Sequence, residues 1–493
     1  MTNYSKKLVK GTGLIFIAAI FAAGLGYLLR ILLAKNLSIE AYGLFYAVFA
    51  FIGILASFRT FGMGQSLIKF IPEFKLQKRF SLIKSGIVYY FLIQFIIFVI
   101  MLFVLFLFAE KLALFYFKDI NAIGLLILLG LAFLFAIFES LFHVLFLGYS
   151  RSSYYSFTTF FQMFLVVIIT FILFELGIGY LSPAYGYLFA SIIAGIVYFI
   201  LFKNLSPEFF KAKLCLNSKL FKKLFLFGLP LTASAIVASS VGYIDTLILT
   251  YFTTLKDVAL YHVALPIAML LRYFTKSVSL IIIPLSSEIY LKSKDLLVES
   301  VKKIQKYLLI VIIPLALVMA IFAPNIISLL FGKDYLGAVT ALRILSVSAI
   351  FYSVAHVNSN LLLGIGKSTS NAKIMASGSI IALILNLILI PFYGVLGAAI
   401  SVLIASLFIF VLSAIYLRKT IEYKIPFVLF FKLFILGFGF LIVLNSLRVL
   451  SFSNLFVKFS IIGLIGIISY FVGLVMLNIV NLEELKLLFN RIR

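Results

Sequence analysis

Residues 11–33, GTGLIFIAAIFAAGLGYLLRILL, and residues 42–61, YGLFYAVFAFIGILASFRTF, decide the fold. Each is an apolar run of about 20 residues, the length at which an α-helix crosses a hydrocarbon core. Each also carries one arginine, Arg30 in the first run and Arg59 near the end of the second. A guanidinium does not shed its proton in a protein, so it must meet water, a carboxylate or an anionic ligand rather than lipid. Both arginines are therefore candidate ligand residues, and the rest of the chain either repeats this arrangement or encloses it.

The whole chain of 493 residues is 64% hydrophobic and 12% charged, a balance that excludes a soluble globular protein of this length. Its apolar runs lack the period-two alternation of a membrane barrel. The fold class is therefore all-α, a polytopic bundle of about fourteen transmembrane helices. A net charge of +25 invites a nucleic-acid reading. The basic residues, however, sit in short turns between apolar runs and form no single soluble face, so no nucleic-acid partner is expected. Cys215 is the one cysteine, which excludes an intramolecular disulfide, and the three histidines offer no zinc spacing with it. Lys6, Lys7 and Lys10 precede the first run as in a secretory signal. The length of that run and its lack of an obvious cleavage site make it a retained span.

Six spans are expected near 11–33, 42–61, 81–108, 121–147, 155–175 and 181–202, then six near 226–251, 258–284, 304–323, 337–363, 372–391 and 395–416. A final pair falls near 427–447 and 455–478, before a short amphipathic tail. This divides the chain into an N-lobe (1–203), a basic cytoplasmic linker (204–223), a C-lobe (224–420) and a terminal pair with its tail (421–493). Most of the 41 Lys and Arg residues fall at the two ends and in the loops after even-numbered spans, which places both termini in the cytoplasm. Sliding the first six spans by about 216 positions sets Leu44-Phe45 on Leu260-Tyr261, Arg30 beside Asp245 and Arg59 beside Lys276. Six is an even number of spans, so the copies share orientation and form two parallel, pseudo-symmetric lobes around a central cavity.

The chemistry-bearing residues inside these runs are mostly cationic. Arg30, Arg59, Arg272, Lys276 and Arg343 would together attract a phosphate or diphosphate, because guanidinium groups match phosphate oxygens in bidentate fashion. The alternative is that these side chains snorkel to the interface or pair internally, Arg30 with Asp245 for example. Lys432 and Lys458 read as snorkelling residues. Arg272 and Lys276 share one helix face, as do Glu139 and His143. The latter pair could relay a proton or form a structural hydrogen bond. Asp245 follows the small, polar stretch Ala238-Ser239-Ser240-Val241-Gly242, a setting for a coupling cation or for a salt bridge. No hydrolytic triad, P-loop, paired-carboxylate site or metal motif is visible, and nothing in the chain calls for a cofactor.

The stretches around Arg30 with Ala34-Lys35-Asn36-Leu37, Ala41-Tyr42-Gly43-Leu44-Phe45 and Phe61-Gly62-Met63-Gly64-Gln65-Ser66 resemble the polysaccharide transporter branch of the multidrug/oligosaccharidyl-lipid/polysaccharide exporter superfamily. In the second half, Phe227-Gly228-Leu229-Pro230, Asp245-Thr246, Pro284 and Pro391-Phe392-Tyr393-Gly394-Val395-Leu396-Gly397 fit the same pattern, so the resemblance runs over nearly the full length. It implies a non-enzymatic flippase that moves a polyprenyl-phosphate- or diphosphate-linked oligosaccharide across the cytoplasmic membrane of a prokaryote by alternating access. Membrane lipids, a monovalent cation and surface-glycan assembly enzymes are the other partners it suggests. In the related lipid II flippases, arginines on the first, second and eighth spans line the cavity, and Arg30, Arg59 and Arg272 occupy those spans here. The competing expectations are a cation-coupled multidrug extruder of the same superfamily, a membrane-embedded glycan polymerase or glycosyltransferase, and a scaffold for glycan assembly.

Overall fold

The computed structural model describes residues 3–424, 426–449 and 455–480, with the side chains of 3–12, 231–241, 280, 448–449 and 455–460 outside the description. Among the described residues there is no strand. The chain runs as α1 (Asn3–Asn36), α2 (Ile39–Ser57), α3 (Met63–Leu76), α4 (Phe80–Lys111), α5 (Ala122–Gly148), α6 (Ser152–Glu175), α7 (Ser182–Leu205) and α8 (Pro207–Lys211). It continues as α9 (Ser218–Phe252), α10 (Leu255–Lys292), α11 (Lys294–Ile321), α12 (Ala323–Leu330), α13 (Val339–Gly364), α14 (Ser368–Ile421), α15 (Phe427–Val449) and α16 (Leu455–Met476).

Eleven helices among the described residues are long and apolar enough to cross a membrane. Eleven and the expected fourteen differ at three places. The run at 226–251 lies on α9, whose central side chains are outside the description. The runs at 372–391 and 395–416 both lie on α14, whose 54 residues are broken by Gly394 at φ 52° and ψ −127°. At about 1.5 Å per residue, 54 residues extend far beyond one bilayer thickness, so the break separates two arms. The third is the last run, where the described apolar helix is Ile461–Met476. The side chains of Lys458 and of 238–241, and the tail at 481–493, lie outside the description.

Local chemistry sets several helix ends. Ser38 caps α2 by accepting from the Ala41 amide at 3.2 Å, and Asn217 caps α9 by accepting from the Lys219 amide at 2.8 Å. The second span was expected to run to Phe61; α2 instead stops at Ser57, because Phe61 (φ 42°) and Gly62 (φ 65°) adopt left-handed backbone that no helix continues. Arg59 therefore stands in the turn between α2 and α3. The stretch after it, unassigned by the run of apolar residues, is helix α3, which buries Met63, Leu67, Phe70, Ile71 and Phe74 at helical spacing and turns Lys75 outward.

Packing divides the chain into two compact units, Met1–Leu260 and Tyr261–Arg493. The first unit includes α9, which packs on α2 and α3 although the chain reaches it only after the basic linker. Gly62 makes this possible: a methyl group there would lie 2.0 Å from the Gly228 carbonyl oxygen of α9. Ser66 adds a hydrogen bond to the Leu224 carbonyl at 2.8 Å. Gly43 of α2 is equally tight, since a methyl group on it would meet the Leu255 carbonyl oxygen at 1.9 Å. The linker is tied down as well. Lys84 donates to the carbonyls of Phe210 and Ala212, and Ser85 both donates to the Cys215 carbonyl and accepts from its amide.

The second unit is held by a different device. Its apolar core includes Leu309, Ile312, Val357, Leu361 and Leu417, all at most 3% exposed. Through this core runs a buried polar chain in which Tyr423 donates to Gln305, Gln305 donates to Asn358 at 2.7 Å, and Asn358 donates to Ser413 at 3.1 Å. Each amide finds a partner, so the network joins α11, α13 and α14 without leaving an unmet polar group among these four side chains.

Candidate functional site

In the first unit Arg30 lies half-buried on α1, with its guanidinium 4.6 Å from the centroid of the Tyr46 ring. Tyr42 and, from α7, Tyr187 lie within its electrostatic reach. Tyr42 and Tyr46 are one helical turn apart on α2, ring centroids 4.8 Å apart, and Phe49 extends the cluster to Tyr187 at 5.2 Å. This aromatic cage supplies a desolvated cation with π-faces and hydroxyls in place of water.

Arg59 is placed by the turn after α2, with its guanidinium 5.8 Å from the centroid of Phe98. Its charge acts on Glu139 and His143 of α5, so the arginine and the acid–histidine pair form one cluster. His143 Nε2 lies 3.8 Å from the Glu139 carboxylate, and Gln162 of α6 lies near the same carboxylate. Beside them Ser140 donates to the buried Gln94 at 3.0 Å. Tyr187 feels both Arg30 and Glu139, which links the two parts of this unit electrostatically.

The second unit places its cations on α10. Arg272 stacks on Tyr352 of α13 at 4.3 Å, and the exposed Lys276 follows one turn later with its ammonium 5.3 Å from the Tyr273 ring. Thr275 and Ser353 meet hydroxyl to hydroxyl at 2.6 Å between them. His356, whose ring lies 5.5 Å from Tyr352, is within the electrostatic reach of both Lys276 and Arg272. Its Nδ1 contacts Ser279 at 2.9 Å and Asn360 at 3.0 Å. Among the described residues, no carboxylate forms an ion pair with Arg59, Arg272 or Lys276.

The five cations expected at one site lie on elements of both units. Arg30 and Arg59 belong to the first unit, Arg272 and Lys276 to the α10/α13 seam. Arg343 lies near the start of α13, nine residues before Tyr352 and so about 14 Å away along the helix axis. It is exposed and donates to the Ala320 carbonyl at 3.2 Å. Asp245 is half-buried on α9 within the first unit and has an interaction partner. The residues that sequence reading passed over are the rings that lie against the cations, Tyr46 and Tyr352, with Tyr187 in electrostatic reach of Arg30. Each stands far along the chain from its arginine, and tyrosines are too frequent here, 26 in all, to single these out.

The all-helical membrane fold and its matches to known families place the chain in the multidrug/oligosaccharidyl-lipid/polysaccharide exporter superfamily. Within that superfamily the chain belongs to the polysaccharide biosynthesis protein family, whose sequence model matches residues 8–290, more than half of its length. The MatE family model matches residues 230–388. An uncharacterized membrane protein of Methanocaldococcus jannaschii is 32% identical over 505 aligned positions, covering 99% of each chain. The probable low-salt glycan biosynthesis flippase Agl15 of Haloferax volcanii is 28% identical over 195 residues, 38% of this chain and 41% of its own. Among solved structures, the lipid II flippase MurJ in an inward-closed conformation shares the fold with a TM-score of 0.74 at 19% identity, over 93% of this chain and 97% of that one.

Proposed function

We propose that this protein is a flippase that carries a polyprenyl-phosphate- or diphosphate-linked oligosaccharide across the cell membrane by alternating access, without making or breaking a covalent bond. The observation that carries this reading is the cationic seam of α10, where Arg272 and Lys276 have no ion-paired carboxylate among the described residues and Arg272 is stacked on Tyr352. A half-buried guanidinium without an internal counter-ion is poised for an anionic ligand, and its planar fork fits phosphate oxygens. Arg30 and Arg59 supply the same chemistry in the first unit. The glycan and its phosphate head would leave the lipid phase while the polyprenyl tail stays in it. Glu139 with His143, or Asp245, would couple the cycle to a proton or another monovalent cation.

The match to the MatE family over 230–388 supports one competing reading, a cation-coupled extruder of organic cations. One experiment separates the two. Proteoliposomes are loaded with a fluorescent polyprenyl-diphosphate oligosaccharide, and sidedness is followed under imposed ion gradients for wild type, Arg30→Ala and Arg272→Ala. Transport by wild type that both variants lose while folded supports the flippase. Export of organic cations with no movement of the lipid-linked sugar supports the extruder, and a new glycosidic bond would reveal an enzyme. Protease protection of tags at each end tests the cytoplasmic placement of the termini.

A further inference from the structure

His356 is the one titratable group on the α10/α13 seam that the charge argument leaves without a task. The Asn360 amide bears on which of its nitrogens carries the proton. The Asn360 side chain donates to the His356 main-chain carbonyl at 2.9 Å; a carbonyl only accepts, so the atom facing it is the amide nitrogen Nδ2. That same Nδ2 lies 3.0 Å from His356 Nδ1, a contact that is a hydrogen bond when Nδ1 accepts. Ser279 Oγ lies 2.9 Å from Nδ1 on the same edge of the ring and also donates to the Thr275 carbonyl at 2.9 Å. With Nδ1 held as an acceptor, a neutral imidazole carries its hydrogen on Nε2. Among the described residues no protein group engages Nε2.

Around this donor the seam is cationic and ordered. Arg272, Lys276 and Ser279 recur at one-turn spacing on one face of α10, and Tyr352, His356 and Asn360 do so on one face of α13. The Thr275–Ser353 contact at 2.6 Å fixes the register of the two faces. We propose that His356 is a ligand residue of a phosphate site on this seam, its Nε2–H acting on the same phosphate group as the Arg272 guanidinium and the Lys276 ammonium. The inference rests on the flippase reading for the source of the phosphate but not for its chemistry. Ser279 and Asn360 are positioning residues that keep the donor presented. A neutral donor beside two cations contributes direction without adding charge, so the head group is oriented and yet can be released.

The test uses the purified full chain in detergent and two probes, inorganic pyrophosphate and farnesyl diphosphate, with binding read by titration calorimetry. His356→Asn keeps an acceptor where Nδ1 stands and removes the Nε2 donor; His356→Gln places an amide N–H near the Nε2 position. His356→Asn is expected to weaken binding by about tenfold, and His356→Gln to recover it to within about threefold of wild type. Pyrophosphate binding would show that the phosphate alone suffices, and binding of farnesyl diphosphate only would assign the site to a lipid head group; both uphold the site if they depend on His356. Wild-type affinity in His356→Asn overturns it. Should His356→Asn fail to fold by circular dichroism, a folded His356→Gln that has lost binding overturns it equally. The flipping assay, run in parallel, keeps the two readings apart. Flipping by wild type with His356-independent binding leaves the flippase and removes this site. His356-dependent binding with no flipping leaves the site and removes the flippase.

Discussion

The two units handle buried positive charge in different ways. In the first, Arg59 shares its surroundings with Glu139 and His143, and Arg30 is enclosed by Tyr42, Tyr46 and Tyr187, so the unit carries its own acid and its own cage. In the second, Arg272 lies over the Tyr352 ring and Lys276 beside the Tyr273 ring, and no acid is paired with them among the described residues. A cation with an internal acid can be neutralised without substrate; a cation without one is left to water or to an anion from outside. The first arrangement suits coupling to a proton or metal cation, and the second suits holding a phosphate.

This contrast can be broken most directly at Arg272. Arg272→Ala should reduce transport of the lipid-linked sugar at least about tenfold, and Arg272→Lys should recover only part of it, because an ammonium lacks the planar fork. Equal transport by all three would remove the distinction between the units. The structural half of the comparison comes next. Asn358→Leu leaves the buried Gln305 amide without its partner and should destabilise the protein by about 1–3 kcal/mol, read as a lower melting midpoint by circular dichroism. Gly62→Ala should cost about as much by pushing a methyl group into the Gly228 carbonyl. A third measurement sharpens the coupling side. Glu139→Gln should leave phosphate binding intact and reduce the response of transport to an imposed proton gradient; an unchanged gradient response places the coupling elsewhere. The smallest effect is expected at Arg343, which makes a single exposed hydrogen bond. Arg343→Ala should shift stability by no more than about 0.5 kcal/mol and leave phosphate titrations at wild-type affinity.

Helix placement was legible because bilayer length imposes a simple rule, an unbroken apolar run, and the runs at 121–147, 181–202 and 427–447 match α5, α7 and α15 within a few residues. Elements that do not cross the bilayer escape that rule. Helix α3 carries polar residues on one side and is too short to span, and α8 is only five residues long, so neither registers as a run. The end of α2 was misplaced for a related reason: Phe61 is apolar, and only its left-handed backbone, forced beside Gly62, shows that the helix has stopped. For the site, charged residues stand out in an apolar chain, which is why Arg30, Arg59 and Arg272 were found. Their partners do not stand out. Tyr352 and His356 acquire meaning only when α13 is laid against α10, a juxtaposition with no local mark in the chain.

The strapped linker has a practical consequence for anyone who wishes to watch this protein work. Cys215 is exposed, and its backbone is clasped on both sides by the Ser85 hydroxyl. It is also the single thiol in the chain. A maleimide dye or nitroxide would therefore attach at one stoichiometric position with no cysteine to remove first. Anchored backbone beneath the label means that its rotation follows the tumbling of the first unit instead of the wagging of a loop. The native polypeptide thus comes with a built-in place for a spectroscopic reporter, and a second, engineered cysteine in the other unit would complete a distance ruler.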